Sequence, residues 1–281
     1  MAEFSSTVGF FDTQGAPLYY EAAGQGPGLL LLHAGIADSR MWDEQFPVFA
    51  QHYQTLRYDL RGFGKSHIPA GPFANHEDTA ALLAFFGIEK AHVIGASFGG
   101  SIALDFTLAH PEMVASLVLV APLVGGEEPS ELVRRFNEEE EALLERGDLE
   151  AATELNLRTW VDGPKRTPGQ VDPMVRQRVH DMQYHAFTIP MPEGVEEIAL
   201  HPPAITRLKE LRAPTLIIIG DSDIPDKLEI AQKLAADIPG AQQVIVPGAA
   251  HMVNMEQPEA FTRIVLAFLS KQQVSKESLT Q

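Results

Sequence analysis

The stretch AHVIGASFGGSIALDFTLAH, residues 91–110, decides the fold. AHVI reads as a short buried strand and SIALDFTLAH as an amphipathic helix. Between them, Gly95-Ala96-Ser97-Phe98-Gly99 fits the pattern G-x-S-x-G. A strand that turns abruptly into a helix strains the residue at the tip. Only small flanking residues let the two elements approach closely enough. A serine held there is presented as a nucleophile. A glycine-rich turn with a capping serine carries the same residues without chemistry, so the reading depends on what else the chain supplies. Two rival motifs fail. Position 97 is serine where G-x-G-x-x-G needs its second glycine, and RGFGKS (61–66) has Asp59 where a phosphate loop needs its first.

Outward from this turn, β-type runs alternate with helical patterns. The strands are GLLLLHAG (28–35), QTLRYDL (54–60), AHVIGAS (91–97), VASLVLVAP (114–122), PTLIIIGD (214–221) and QQVIVPG (242–248). Several are unbroken runs of Val, Ile and Leu, as expected for strands buried on both faces of a parallel sheet. Helical patterns cover Met41–Gln51, Asp78–Phe86, Phe98–His110, Lys227–Ile238 and Pro258–Ser270. Such alternation predicts an α/β fold with helices on both faces of the sheet. Near the start, a Gln14–Gly15 turn between two short strands predicts an antiparallel hairpin. From 123 to 203 the pattern changes to helices without strands, at Ser130–Arg146, Leu149–Trp160 and Val171–Phe187. The simplest organisation is a core of residues 1–122 and 204–281 with a helical cap of 123–203 above the strands' carboxyl ends, where open α/β sheets bind ligands. The polar tail KQQVSKESLTQ (271–281) is expected to fray.

A serine hydroxyl needs a base. Of ten histidines, His251 in PGAAHMV follows the last strand and precedes the last helix, a loop where catalytic residues of such sheets gather. His33 ends a buried strand and is expected to brace a loop. His180 and His185 are five apart and share no helix face as a metal pair would. The base needs an orienting carboxylate. PTLIIIGDSD supplies Asp221 and Asp223, with Asp226 close behind. Asp223 is favoured and Asp221 is the runner-up. VLVAPLVGG, after the preceding strand, holds no carboxylate. Two backbone N–H groups must stabilise the oxyanion. Phe98, following the nucleophile at a helix N-terminus, supplies one. The loop His33-Ala34-Gly35-Ile36 supplies the other, assigned to Gly35 with Ile36 as the alternative.

The chain has 281 residues, 45% of them apolar, and a formal net charge of −17. The charge favours solubility and disfavours nucleic acid and anionic membrane partners. Glu138–Glu141 reads as a solvated helix face rather than an ion site. With no cysteine, disulfides, thiolate zinc sites and cysteine nucleophiles are excluded. No apolar run reaches the roughly 20 residues of a membrane helix. MAEFSSTVGFF lacks the basic region of a secretory signal, so a cytoplasmic location is expected.

The sequence resembles the α/β-hydrolase superfamily along nearly its whole length. The carriers are LLLLHAGIADSRMWD (29–43), YDLRGFGKS (58–66), HVIGASFGG (92–100), PTLIIIGDSD (214–223) and PGAAHMVNMEQPEAF (247–261). The resemblance implies an eight-stranded, mostly parallel sheet with a helical cap after the sixth strand. It also implies Asp223 as the triad acid, Gly35 as the oxyanion-loop donor, and structural roles for Asp59 and Arg61. HAG stands where many members have HG. Dehalogenases and epoxide hydrolases of this fold carry aspartate at the elbow, so Ser97 argues against both. The GASFGG elbow is also similar to that of carbon–carbon bond hydrolases acting on ring-cleavage products.

The expected function is hydrolysis of a small or medium apolar ester or lactone, with no metal or organic cofactor. A small-molecule substrate is the expected partner, and the cap residues Trp160, Met182 and Phe187, with Trp42, Phe98 and Met252, are candidate pocket residues. Carbon–carbon cleavage is the alternative, and a hydrolase-like ligand receptor with little turnover is the reading from another class.

Overall fold

A computed structural model describes residues 5–277, with side chains as far as Gln272. Among these residues, ten strands occur: β1 (Ser6–Thr13), β2 (Ala16–Ala23), β3 (Gly28–Leu32), β4 (Gln54–Tyr58), β5 (Gly71–Phe73), β6 (Ala91–Ala96), β7 (Val114–Val120), β8 (Val195–Glu197), β9 (Thr215–Gly220) and β10 (Gln242–Val246). Eight of them form one sheet in the order β1-β2-β4-β3-β6-β7-β9-β10. The β1–β2 and β2–β4 pairs are antiparallel. From β4 onward every pair is parallel. The hairpin turn has positive φ at both Gln14 (52°) and Gly15 (76°), the geometry that matches strand twist in a two-residue turn.

Successive side chains on a strand point to opposite faces, and here both faces are apolar. Leu30, Leu32, Val93, Leu117, Leu119, Ile217 and Ile219 pack on one face. Leu29, Leu31, Ile94, Val118, Val120, Leu216 and Ile218 pack on the other. Helices α2 (Asn75–Phe85), α3 (Phe98–Ala109) and α7 (Pro225–Asp237) cover the first face. The second is covered by α1 (Phe46–Phe49), α8 (Val253–Glu256) and α9 (Pro258–Glu277). This double burial is why the strands read as unbroken apolar runs.

Several elements differ from the sequence reading. The helix expected at Met41–Gln51 is split into a 3₁₀ turn, Ser39–Trp42, and the short α1. Asp38 caps the turn by accepting from Arg40 N, and Pro47 restarts the chain at the first helical positions. The polar tail continues α9 as far as Glu277, and residues 278–281 lie outside the described residues. Between β7, the sixth strand of the main sheet, and β9 lie α4 (Glu131–Glu145), α5 (Leu149–Asn156) and α6 (Pro173–Thr188). That segment also holds β8, which pairs with β5. Three-residue strands such as GPF and VEE are too short to show any periodicity. The helix expected to reach Trp160 ends at Asn156 and widens into a π-helical segment, Leu157–Asp162.

Asp105 on α3 lies beside the chain after β7, where a Cβ built on Gly125 would stand 3.7 Å from its Oδ1. Its Oδ1 is buried without a hydrogen-bond partner. Burial first, and the Glu197 carboxylate second, push its carboxyl up to about 6. The folded protein therefore holds a proton that the unfolded chain releases near the ordinary value of ~4. Stability contributed by this group is present below about pH 4 and is lost as pH rises towards 6. Asp105→Asn is expected to raise the melting temperature by roughly 2 °C above pH 7 and to leave it unchanged at pH 4. Equal shifts at both pH values in a thermal scan would refute this.

Candidate active site

Ser97 ends the turn between β6 and α3 with φ 50° and ψ −112°, a strained backbone for a residue with a Cβ. Its surroundings hold it there. Its N–H donates to Val120 O at 2.9 Å, and its carbonyl accepts from the N–H groups of Gly100, Ser101 and Leu123. The two flanking glycines are required by space. A Cβ at Gly95 would lie 2.2 Å from Gly99 O, and one at Gly99 would lie 2.5 Å from His33 O.

His251 follows β10 in a loop that also closes on β9. Its Nδ1 lies 2.9 Å from Asp223 Oδ2, and both side chains are almost fully buried. Asp223 Oδ1 accepts from Ile224 N. Of the three candidate carboxylates, Asp223 is the one paired with His251. Asp221 instead accepts from Gly248 N and from Ser222 Oγ, so it ties the histidine loop to the end of β9.

The segment after α5 reaches the same histidine. Trp160 O accepts from His251 N, and the two rings lie 4.9 Å apart. Arg166 fastens this contact. It donates to Gly248 O, to Val161 O and Asp162 O, and to Glu256 Oε2 at 2.6 Å. Glu256 Oε1 in turn accepts from Ala250 N. Nothing in the spacing of the sequence marks Arg166 or Glu256, because their partners are up to ninety residues away.

Ser97 and His251 line one cavity of about 500 Å³, together with Gly35, Ile36 and Phe98. A Cβ built on Gly35 would stand 3.4 Å from Phe98 Cβ, so the loop after β3 packs against the start of α3. The first N–H groups of a helix have no intrahelical partner. Of these, Gly99 N donates to His33 O. His33 does brace a loop, since Leu60 N donates to its Nε2. Asp59 accepts from Ser39 N and Lys65 N, and Arg61 is paired with Asp78 at 2.6 Å.

The apolar part of the lining includes Phe63, Leu123, Phe136, Trp160, Phe187 and Met191. Three expected pocket residues are elsewhere. Trp42, Met182 and Met252 are buried in the core on the second face of the sheet, with Trp42 against Phe261 at 6.0 Å between rings. The reason is tertiary, as each of the three side chains packs into the buried apolar cluster on that face. The acidic run also divides. Glu138, Glu139 and Glu141 are exposed, whereas Glu140, one turn beyond buried Phe136, faces the cavity and accepts from Asn156 Nδ2. Lys227 is a further lining residue, buried beside Glu127 at 3.8 Å, and burial lowers its ammonium from the ordinary lysine value.

Among curated proteins, 2-hydroxy-6-oxononadienedioate/2-hydroxy-6-oxononatrienedioate hydrolase of Cupriavidus pinatubonensis (strain JMP 134 / LMG 1197) is 30% identical over 240 residues, spanning 79% of this chain and 78% of its own. Carboxylesterase YbfK of Bacillus subtilis (strain 168) is 26% identical, spanning 86% of this chain and 80% of its own. A solved hydrolase structure from Pseudomonas aeruginosa PA01 is 29% identical, with a TM-score of 0.77, and covers 93% of this chain and 98% of that one. The family model of the α/β-hydrolase fold matches residues 27–258. With the sheet order and the strand-to-helix turn described above, that match makes this chain a hydrolase of the α/β-hydrolase fold family.

Proposed function

We propose that this chain is a serine hydrolase that cleaves a small or medium apolar carboxylic ester or lactone through an acyl-enzyme on Ser97. The observation that carries the reading is the meeting of the strained Ser97 turn and the His251–Asp223 pair at one cavity. With Nδ1 held by Asp223, His251 has Nε2 left to take the hydroxyl proton. Ser97 Oγ then attacks the ester carbonyl. The N–H groups of Phe98 and Gly35 stabilise the negative oxygen. The tetrahedral intermediate expels the alcohol, which receives its proton from His251. Water, deprotonated by the same histidine, attacks the acyl-enzyme, and Ser97 leaves with the proton returned. The helical insertion acts as a cap, since α4, α5 and α6 supply cavity residues and Trp160 rests on the base.

Carbon–carbon cleavage is the second reading, favoured by the relative named as a 2-hydroxy-6-oxo-dioate hydrolase. The anionic substrate in that name calls for a free cation in the cavity. Arg61 and Lys227 line it, but Arg61 is committed to Asp78, and Lys227 sits beside Glu127. Ester cleavage therefore fits the lining better.

The test combines p-nitrophenyl esters of graded acyl length with an activated phosphonate ester. Wild-type turnover is expected to be lost in proportion to phosphonylation, with the adduct mapped by mass spectrometry to the peptide carrying Ser97. Inactivation with the adduct on another residue would overturn the assignment.

A further inference from the structure

Gln183 on α6 is 4% exposed, lines the cavity, and has a buried Oε1 with no hydrogen-bond partner. A buried polar group left unpaired costs free energy, and one that lines a cavity can recover that cost from a ligand's hydrogen bond. Asn156 and Glu140, two more polar side chains of the cap, line the same cavity, as does the exposed Asn137. Asn156 on α5, 1% exposed, donates from Nδ2 to Glu140 on α4 and to Ala152 O. Burial raises the Glu140 carboxyl above the ordinary value. Around these three stand Phe136, Trp160 and Phe187. The cavity thus has an apolar lining with a polar wall supplied by three cap helices.

The chemistry of that wall narrows the ligand. A primary amide offers both an acceptor and donors. A carboxylate would leave Oε1 unpaired and would face Glu140. An ammonium would leave the amide N–H₂ unpaired. A neutral group that both donates and accepts satisfies the site. We propose that Gln183, with Asn156 and Glu140, recognises a secondary amide on one arm of the substrate, so that amide-bearing acyl esters are preferred over plain alkyl esters of equal length. This rests on the ester reading above.

The experiment uses two p-nitrophenyl esters with acyl chains of equal length, the N-acetyl-β-alanine ester and the hexanoate. The ratio of kcat/KM for the amide ester to that for the alkyl ester is measured in the wild type and in Gln183→Met, a near-isosteric change that removes the hydrogen-bonding groups. The ratio is expected to fall by about tenfold. In parallel, binding of the two corresponding ethyl esters is measured by calorimetry in Ser97→Ala and in Ser97→Ala/Gln183→Met. The ratio of their affinities is expected to fall by about the same factor. The binding ratio decides the amide wall, and a change below threefold overturns it. Wild-type turnover decides the ester reading separately, because binding to the Ser97→Ala proteins needs no catalysis. Circular dichroism of each variant confirms that the compared proteins are folded.

Discussion

Ser97→Ala is expected to lower kcat for p-nitrophenyl ester hydrolysis by about 10⁴-fold or more. In the proposed mechanism, the substitution removes the one oxygen that would form the acyl bond. It spares the fold, because the hydrogen bonds that hold residue 97 run through its N–H and its carbonyl. The proposed oxyanion donors and the cavity also remain, so a residual rate above that in water should persist. KM should change little, since the hydroxyl adds little to ground-state binding of an ester. The measurement is steady-state kinetics on freshly purified protein, with an active-site titration to exclude wild-type contamination. Activity within tenfold of the wild type would remove Ser97 from the chemistry.

For the second large effect, Asp223→Asn should lower kcat by about 10⁴-fold while leaving the protein folded. The size follows from proton placement. Asp223 Oδ2 accepts from His251 Nδ1 at 2.9 Å, which keeps the ring proton on Nδ1 and leaves Nε2 basic. An asparagine in the same place can still accept from Ile224 N, as Asp223 Oδ1 does. Its amide N–H₂ would then face His251 and donate to Nδ1. The ring proton would move to Nε2, and the base could no longer take the Ser97 proton. Asp221→Asn is the control. Asp221 accepts from Gly248 N and Ser222 Oγ and does not touch His251. A loss within about tenfold is expected there, since asparagine keeps the acceptor that braces the loop. A greater loss in Asp221→Asn than in Asp223→Asn would transfer the acid role to Asp221.

The features legible in the sequence are those with local causes. Runs such as LLLL at 29–32 and LIII at 216–219 announced strands with two apolar faces, because a period of two places every side chain on one face or the other. GASFG announced the turn at Ser97, because the clash a Cβ would make at Gly95 or Gly99 lies within a few residues of chain or against the neighbouring strand. The position of His251 followed from its place after the last strand. Three aspartates within six residues, however, have nearly the same local signal. Only the path of the chain from Gly220 set Asp223 against His251 and Asp221 against Gly248.

The cavity wall belongs to the tertiary structure. Trp42, Met182 and Met252 are as apolar as Trp160, Phe187 and Met191, yet the first three are in the core and the second three line the cavity. Their sequence context could not separate them, because burial in the core and exposure to an apolar cavity favour the same residue types. Glu140 and Gln183 read as ordinary polar positions on helices. They line the same cavity as Ser97 and His251, which follow the carboxyl ends of β6 and β10. Strand character and the strained turn depend on neighbours along the chain. The cavity wall depends on how three helices are rotated against the sheet, and that rotation is a property of the packed molecule alone.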